Sequence, residues 1–183
     1  MKELLAPPIL HTARLTLRPP TADDLDGFYA FGSEPDTMEH LGGVKSRHEI
    51  YRAVCGLAGA WQIRGYGFFS VLERATGTWI GRVGPHYPEG WPAREIGWGL
   101  LSGYTGRGYA REAAAACIDY AFDVLGWTHV HHVIAPQNMA SARLARALGS
   151  RGLHPVTLPP PLTELRVDLW GQSREAWRAR PAV

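Results

Sequence analysis

The sequence predicts an α+β (mixed α/β) fold, in which a mostly antiparallel sheet of about seven strands is flanked by about four helices. Short segments of alternating polar and apolar residues recur along the chain, and other segments carry apolar residues at helical spacing. Turns rich in glycine and proline separate these segments. A length of 183 residues suits one core, so we expect a single domain over residues 1–183.

In the first half of the chain, alternation marks the strands and capping residues mark the helices. Thr21 and Ser46 are favoured N-cap residues, and Glu49 lies three residues after Ser46, as in a capping box. Residues 1–10 are expected to be a loose lead-in. The predicted elements are a strand at 15–18, a helix after Thr21, a helical turn at 36–41, a helix from Ser46 to about 63, and a hairpin of strands 67–72 and 79–83.

The second half alternates strands with helices. Gly126 and Gly149 are placed to end helices, and Asn138 is placed to begin one. The predicted elements are an aromatic loop at 85–92, a strand at 94–100, a long helix ending at Gly126, a strand at 129–135, a helix from Asn138 to Gly149, strands near 153–158 and 165–170, and a helical turn at 173–178.

The composition of the chain indicates no particular class of binding partner. The 19 basic and 17 acidic residues give a formal charge of +2, which calls for neither nucleic acid nor an anionic membrane. We see no apolar run long enough to span a bilayer and no signal-peptide pattern. Cys55 and Cys117 each fall in a predicted helix, where we expect two reduced core thiols rather than a disulfide. We therefore expect a cytoplasmic protein without nucleic-acid or membrane partners.

A glycine-rich turn at 104–112 joins the strand at 94–100 to the longest predicted helix. Gly106 and Gly108 let the backbone turn tightly and approach a ligand closely. The first N–H groups of the helix then face an anion, and Arg107 and Arg111 can add charged contacts. Although glycine pairs also occur in ordinary turns, the order of strand, glycine turn and helix predicts a phosphate site.

The strand at 94–100 has one face almost without side chains. Ile96, Trp98 and Leu100 share one face, while Glu95 shares the other with two glycines at positions 97 and 99. Glycine in a strand often marks the close approach of a ligand or of another backbone. The vacant face therefore predicts a slot for a slender substrate arm with Glu95 at its inner end, or a tightly packed helix.

Three segments together resemble the GNAT superfamily of acyl-CoA-dependent N-acetyltransferases. They are Glu95-Ile96-Gly97-Trp98, the glycine turn continuing to Ala113, and Asn138-Met139-Ala140-Ser141 ahead of Leu148-Gly149. The chain looks most like the branch of ribosomal-protein N-terminal acetyltransferases. The resemblance covers nearly the whole chain and implies a sheet that is splayed between its fourth and fifth strands.

The resemblance implies a site for coenzyme A. Main-chain N–H groups of the glycine turn would hold the pyrophosphate, and the pantetheine arm would pair with the strand ending at Leu100, whose amide would donate to the thioester carbonyl. The residues assigned to acetyl-CoA are Trp98, Leu100, Thr105, Gly106, Arg107, Gly108, Tyr109, Ala110, Arg111, Asn138 and Arg143. Thr105 departs from the family, which usually has Gln, Arg or Trp there, and Arg143 can equally be a solvated helix-surface arginine.

Glu95 and Ser141 are the candidate catalytic residues. Glu95 can take the proton from the amine, directly or through water, or it is a strand carboxylate paired with Arg94 or Arg82. The resemblance implies that Ser141 gives a proton to the leaving thiolate. The alternative is that Ser141, together with Asn138, only ties down the start of a helix.

The aromatic loop at 85–92 supplies candidates for the acceptor site. His86 is a second candidate base, because an ordinary histidine pKa suits neutral pH. Tyr87 and Trp91 are candidate walls of an acceptor groove, or residues that only pack the loop.

A histidine cluster at positions 129, 131 and 132 raises the question of a metal site. His129 and His131 would share a face of their strand, but a third ligand at a known spacing is missing nearby. We therefore predict no metal and expect surface or groove histidines.

The sequence thus predicts an N-acetyltransferase that moves an acetyl group from acetyl-CoA, its co-substrate, to a primary amine. The acceptor is a small-molecule amine or a protein N-terminus, and the protein is a monomer or a homodimer. The alternative is a CoA-binding sensor or interaction module without turnover, against which the presence of Glu95 and Ser141 argues. A phosphate-loop nucleotide binder is disfavoured because no Gly-Lys-Ser/Thr ends the turn.

Overall fold

The computed structural model describes residues 8–180, which form one eight-stranded sheet with helices on both faces. In chain order the strands are β1 (Leu10–His11), β2 (Leu15–Arg18), β3 (Phe69–Glu73), β4 (Trp79–His86), β5 (Glu95–Leu100), β6 (His129–Ile134), β7 (Arg151–Val156) and β8 (Val167–Ser173). Across the sheet their order is β1-β2-β3-β4-β5-β6-β8-β7. Neighbouring strands are antiparallel except β5 and β6, which are parallel, so the predicted mixed α+β class is confirmed.

Six α-helices are described, two of them a single turn long. They are α1 (Leu25–Ser33), α2 (Pro35–Met38), α3 (Arg47–Arg64), α4 (Tyr109–Asp123), α5 (Met139–Ala147) and α6 (Arg174–Arg178). Short 3₁₀ turns at Ala22–Asp24 and Ser102–Tyr104 precede α1 and follow β5. The capping predictions are confirmed for α3 and α5, because the side chains of Ser46 and Asn138 accept hydrogen bonds from main-chain N–H groups of their helices.

The hydrophobic core lies on both faces of the sheet. On one face α4 packs through small side chains, since Ala113, Ala114, Cys117 and Ala121 are fully buried. These small residues form one apolar stripe and let the helix lie close to the sheet. The other face is covered by α1, α2 and α3 through a second buried cluster. Its members are Phe28, Phe31, Met38, Ile50, Val54 and Trp79.

Four details differ from the sequence predictions. The strand count is eight because Leu10 and His11 pair with β2. Two residues are too few to show an alternation of polar and apolar side chains. Residues 1–7 of the expected lead-in lie outside the described residues. The predicted loop at 85–92 starts later because β4 continues to His86. Both closing strands are shifted by about two residues, β7 towards the N-terminus and β8 towards the C-terminus. Cys55 is exposed on α3, so only Cys117 is a core thiol.

The parallel pair β5 and β6 lies near the middle of the sheet and is splayed. Its register pair is Glu95 with His131, at the start of β5. Beyond that pair the strands diverge, which is the arrangement that the resemblance implied. The predicted fourth and fifth strands are β5 and β6 here because the short β1 was not counted in the prediction. The gap exposes one edge of each strand inside the fold.

Among residues 8–180, no helix combines the length and the apolar character needed to cross a membrane.

Candidate active site

A cleft of about 980 Å³ opens where β5 and β6 diverge. It is lined from both faces of the sheet, by Trp98 and Leu144 on the side of α4 and by Phe68 and Leu41 on the side of α1. A volume of this size suits a large ligand. The predicted site residues that line it are His86, Trp91, Glu95, Trp98, Leu100, Thr105, Gly106, Gly108, Tyr109, Ala110, Arg111, Asn138 and Ser141.

Three predicted site residues lie outside the lining of this cleft. Arg107 and Arg143 are exposed, on the glycine turn and on the outer side of α5. Tyr87 is partly buried and its ring lies 5.9 Å from the Arg64 guanidinium carbon. For Arg143 this geometry favours the alternative of a solvated helix-surface arginine.

The glycine turn forms one end of the cleft. Gly106 and Gly108 have φ angles of +72° and +80°, a left-handed conformation that costs glycine almost nothing and other residues about 1–2 kcal/mol. Gly108 is the N-cap of α4, so the first N–H groups of the helix have no partner within it. The turn therefore offers main-chain donors and a helix dipole to an anion in the cleft.

Arg14 holds this turn from behind. Its guanidinium donates to the Arg107 carbonyl oxygen at 3.0 Å and to the Glu112 carboxylate at 2.7 Å. It also lies 4.4 Å from the centre of the Tyr109 ring, whose hydroxyl donates to Glu73. The Tyr109 side chain therefore contacts Arg14 and Glu73, and only the Tyr109 backbone is available to a ligand in the cleft.

The glycines of β5 do not leave an empty face. A Cβ atom at Gly97 would lie 2.8 Å from the Phe68 ring, and one at Gly99 would lie 2.7 Å from the Phe31 ring. Phe31 belongs to α1, so the alternative of close helix packing holds at Gly99. Both glycines still line the cleft, so the two rings narrow this face without closing it, and the predicted slot stays a prediction; the cleft also opens at the edge of β5 that faces β6.

That edge turns main-chain groups towards the gap, where the Leu100 carbonyl also accepts a hydrogen bond from the Thr37 hydroxyl at 3.4 Å. In an antiparallel ladder, hydrogen-bonded pairs alternate with pairs whose main-chain groups point away from the partner strand. The Leu101 N–H donates to the Ile80 carbonyl, and Leu100 is paired with the next residue of β4, Gly81. The main-chain groups of Leu100 and Trp98 therefore point away from β4, towards the gap.

The Glu95 carboxyl lies at the point where the gap begins. Its Oε1 accepts a hydrogen bond from the Val133 N–H at 3.1 Å, and its Oε2 accepts one from the Trp91 indole at 2.6 Å. Burial raises the pKa of Glu95 to about 7, against the opposing effects of these two hydrogen bonds and of the Arg82 charge. A carboxyl with a pKa near neutral can accept a proton at neutral pH.

Ser141 lies across the gap from Glu95's strand, at the start of α5. Its hydroxyl oxygen accepts a hydrogen bond from the Trp98 indole at 3.1 Å, which leaves its own proton free to be donated. Its main-chain N–H donates to the Asn138 side chain at 3.0 Å. The hydrogen bond that caps the start of α5 therefore involves the Ser141 main-chain N–H, and the Ser141 hydroxyl proton is available to a ligand in the cleft.

His132 supports this side of the cleft, although the sequence indicated it only as a member of the histidine cluster. It is fully buried, and its ring nitrogens lie 2.7 Å from the Ile96 carbonyl oxygen and 2.9 Å from the Ser150 hydroxyl oxygen. The centre of its ring lies 4.6 Å from that of the Trp98 ring, with the two ring planes tilted. Burial lowers its pKa to about 4, so it is neutral at physiological pH.

His86 and Trp91 form an aromatic wall on the other side. Their rings are 4.8 Å apart, and His86 also lies 5.1 Å from Phe68. Burial, together with the charges of Arg82 and Arg64, lowers the pKa of His86 to about 3. The expectation that His86 has a pKa suited to neutral pH is therefore wrong, because burial disfavours its charged form.

Arg82 is a further cleft residue, for which the sequence indicated only the role of a partner for Glu95. It lines the cleft on the side of Phe68 and Glu95. The C-terminal segment also closes this side through apolar side chains that no motif indicated. They are Leu158, Leu162, Leu165 and Val167.

The histidine cluster divides between two faces of β6. His129 and His131 share a face, as predicted, with their rings stacked 6.3 Å apart, while His132 points into the core. Within residues 8–180, no group of three or more His, Cys, Asp or Glu side chains is arranged to hold a metal ion.

Known proteins resemble this chain in sequence and in fold. The uncharacterised protein YkkB of Bacillus subtilis (strain 168) is 33% identical over 150 residues, which cover 76% of this chain and 83% of that protein. An uncharacterised N-acetyltransferase, p20 of Bacillus licheniformis, is 28% identical over 76% of this chain and 80% of its own length. The crystal structure of an acetyltransferase from Agrobacterium tumefaciens str. C58 superposes with a TM-score of 0.81 at 30% identity, over 91% of this chain and 95% of that one.

The family match includes the glycine turn, the splayed strands and α5. Residues 14–151 match the acetyltransferase (GNAT) domain, which is well over half of the chain. The narrower resemblance to ribosomal-protein N-terminal acetyltransferases stays a prediction. The chain belongs to the GNAT acetyltransferase superfamily.

Proposed function

We propose that this protein transfers an acetyl group from acetyl-CoA to a primary amine by direct attack of the amine on the thioester, with Glu95 as the general base. The observation that carries the proposal is the buried Glu95 carboxyl at the gap between β5 and β6, with a pKa raised to about 7 by burial. An amine must be neutral to attack, and a base of this strength can take its proton, directly or through water, at neutral pH.

Ser141 is the proposed donor of a proton to the leaving thiolate. Because the Trp98 indole donates to the Ser141 oxygen, the hydroxyl proton has no competing role in that contact and can be directed into the cleft. The Leu100 N–H, which points towards the gap, is the proposed donor to the thioester oxygen as negative charge develops there.

The glycine turn is the proposed binding site for the pyrophosphate of acetyl-CoA. Its fit to an anion is supported by the left-handed glycines and the open N-terminus of α4. Exposed Arg111 and Arg107 can add charge there. The pantetheine arm would then lie along Trp98 and Leu100, within reach of the main-chain groups of β5.

The acceptor is proposed to enter from the side of Phe68, Trp91 and Glu95. Both a small-molecule amine and a protein N-terminus of the ribosomal-protein type are compatible with a primary-amine acceptor. Two free cysteines are compatible with the reducing cytoplasm as the place of action. A monomer and a homodimer remain equal proposals for the assembly.

A thiol-release assay with acetyl-CoA and a panel of primary amines tests this function. We expect amine-dependent release of CoA together with binding of CoA measured by calorimetry. Binding of CoA without turnover on a broad panel would contradict the proposal and favour a sensor or interaction module.

A further inference from the structure

Arg82 is a cation inside the cleft that the proposed chemistry does not use. It lies on β4 opposite Gly99 and, by alternation, on the same face of the sheet as Glu95. Burial lowers its pKa to about 10, with the Glu95 charge acting in the opposite direction, so it stays charged at neutral pH. Arg82 is partly buried, and a positive charge that is partly removed from water is costly unless something compensates for it.

Arg82 has no ion-pair partner in the described part of the chain. The ion pairs among residues 8–180 all use other basic side chains. The Arg82 guanidinium carbon lies 4.2 Å from the centre of the Phe68 ring and 5.6 Å from that of the Phe31 ring. Every fully buried side-chain N or O atom in these residues has a hydrogen-bond partner, so the free N–H groups of Arg82 are open to the cleft.

Arg82 and Glu95 form two poles of opposite charge on the acceptor side. Gly99, the partner of Arg82, is four residues from Glu95, which is about 13 Å along a strand. The side chains shorten that separation. Glu95 Oε1 lies 3.4 Å from the Cβ position of Gly97, which the Phe68 ring also contacts, and Arg82 packs on that ring. A small molecule over Phe68 can therefore meet both charges.

We propose that Arg82 binds a carboxylate of the acceptor, and that the acceptor is a small primary amine carrying a carboxylate, such as an amino acid. This inference rests on the proposed function and specifies its substrate class. In the productive orientation the amine lies towards Glu95 and the carboxylate towards Arg82, where planar guanidinium donors match its two oxygens. The reverse orientation would place like charges together. Phe68 and Trp91 supply walls for the carbon chain between the two groups.

Matched pairs of an amino acid and its amide test the proposal. Glycine, β-alanine and γ-aminobutyrate differ in the distance from amine to carboxylate, and each amide keeps the amine while removing the negative charge. Thiol release gives kcat/KM for wild type, Arg82→Gln and Arg82→Lys, with Arg52→Gln, an exposed arginine on α3, as control. A short peptide with a free N-terminus and an amidated C-terminus represents a protein acceptor.

We expect wild type to prefer at least one acid over its amide. Arg82→Gln should lose about tenfold to a hundredfold in kcat/KM for that acid, mainly through KM, and little for the amide. Arg82→Lys should recover part of the loss, and Arg52→Gln should match wild type. Thermal denaturation of each variant checks that it is folded.

Other outcomes overturn the inference. An equal loss for acid and amide would mean that Arg82 acts only through the acidity of Glu95. Wild-type turnover of amides or of the peptide without preference for acids would leave the acetyltransferase function standing and remove this substrate class. If CoA binds but no amine turns over, the function fails, and calorimetry of the same acids decides the inference: binding that depends on Arg82 supports it, and no such binding overturns it.

Discussion

The Glu95 carboxyl lies where β5 and β6 begin to diverge, and this position sets its acidity. The Val133 N–H, which a continuing parallel ladder would have paired with β5, donates instead to the Glu95 side chain. Burial raises the pKa of Glu95 while two hydrogen bonds and Arg82 lower it, and burial dominates, giving about 7. One glutamate thus both ends the pairing of two strands and titrates in the neutral range.

Replacing Glu95 by Gln should abolish most turnover without loss of CoA binding. We expect kcat to fall by about a hundredfold or more, the usual contribution of a positioned general base. Wild-type kcat/KM should rise with pH through about 7 as Glu95 loses its proton, and the variant should lack that rise. Thiol release as a function of pH measures both, with Asp26→Asn, an exposed carboxylate on α1, as control. Near-wild-type turnover in Glu95→Gln would exclude the role.

Ser141→Ala separates a proton donor from a helix-start residue. Alanine keeps the main-chain N–H that donates to Asn138, so the start of α5 should be unchanged. We expect the chemical step, measured in single turnovers, to slow by about tenfold or more, with unaltered affinity for CoA. Ser141→Thr, which keeps a hydroxyl, should restore part of the rate. If the chemical step of Ser141→Ala equals that of wild type, Ser141 is no acid.

At the scale of elements, the glycine turn and α4 act as one unit. Small residues bring α4 against the sheet, and Gly108 begins the helix in a left-handed conformation that orients its first N–H groups. Arg14 holds the turn to β2 and to Glu112 of the same helix. The position of the proposed anion site therefore depends on packing along the whole helix and on one arginine near the edge of the sheet.

Gly108→Ala should weaken acetyl-CoA binding selectively. Its φ of +80° disfavours a side chain, and a Cβ would lie 3.3 Å from an Arg14 guanidinium nitrogen. We expect the strain, about 1–2 kcal/mol, to shift the turn and raise the Kd for CoA by about tenfold. Gly103→Ala is the matched control, because nothing lies within 4 Å of its Cβ position. Equal Kd values for the two variants in calorimetry would contradict this prediction.

At the scale of the molecule, the splay lets one cleft cross the sheet. The face of α4 carries Trp98 and Ser141, and the face of α1 to α3 carries Phe68 and Arg82. In the proposed function, the two substrates approach a shared point from opposite sides, and Glu95 lies at that point. The arrangement places a carboxyl that can ionise deep within the fold, and this has a consequence for stability.

The free energy of unfolding should depend on pH because Glu95 is buried. Its folded-state pKa of about 7 lies above the ordinary value of 4.5, so between these pH values the folded chain keeps a proton that the unfolded chain has lost. This contribution to wild-type stability therefore falls as pH rises from 4.5 to 7.

The side chain of the Glu95→Gln variant cannot ionise, so the free energy of unfolding of this variant should not fall in this pH range. Relative to wild type, the variant should gain up to about 3 kcal/mol between acidic and mildly alkaline pH. Urea unfolding of both proteins across this range measures the change. Glu164→Gln, an exposed carboxylate, should show little. A pH-independent difference between Glu95→Gln and wild type would mean that Glu95 is not shifted.

Local signals in the sequence determined the glycine turn, the caps of α3 and α5, the strand that carries Glu95, and the small-residue stripe of α4. Each depends on residues within one or two turns of chain, so spacing alone reveals it. The family resemblance added the position of the splay. The sequence did not predict the two-residue β1 or the ends of the closing strands, because these are defined by pairing with neighbouring strands and not by a pattern in their own residues.

Tertiary structure alone decided the neighbours of each side chain. Phe31 and Phe68 pack against the glycine face of β5 and narrow it, and Arg82 faces the cleft without an ion pair, although their sequence positions are far from Gly97 and Gly99. The pKa values of Glu95 and His86 moved in opposite directions for one reason: burial penalises charge, and burial is a property of the packed chain. The sequence by itself thus determined which chemical groups this protein has and on which elements they lie, whereas folding decided which of them meet and how they ionise.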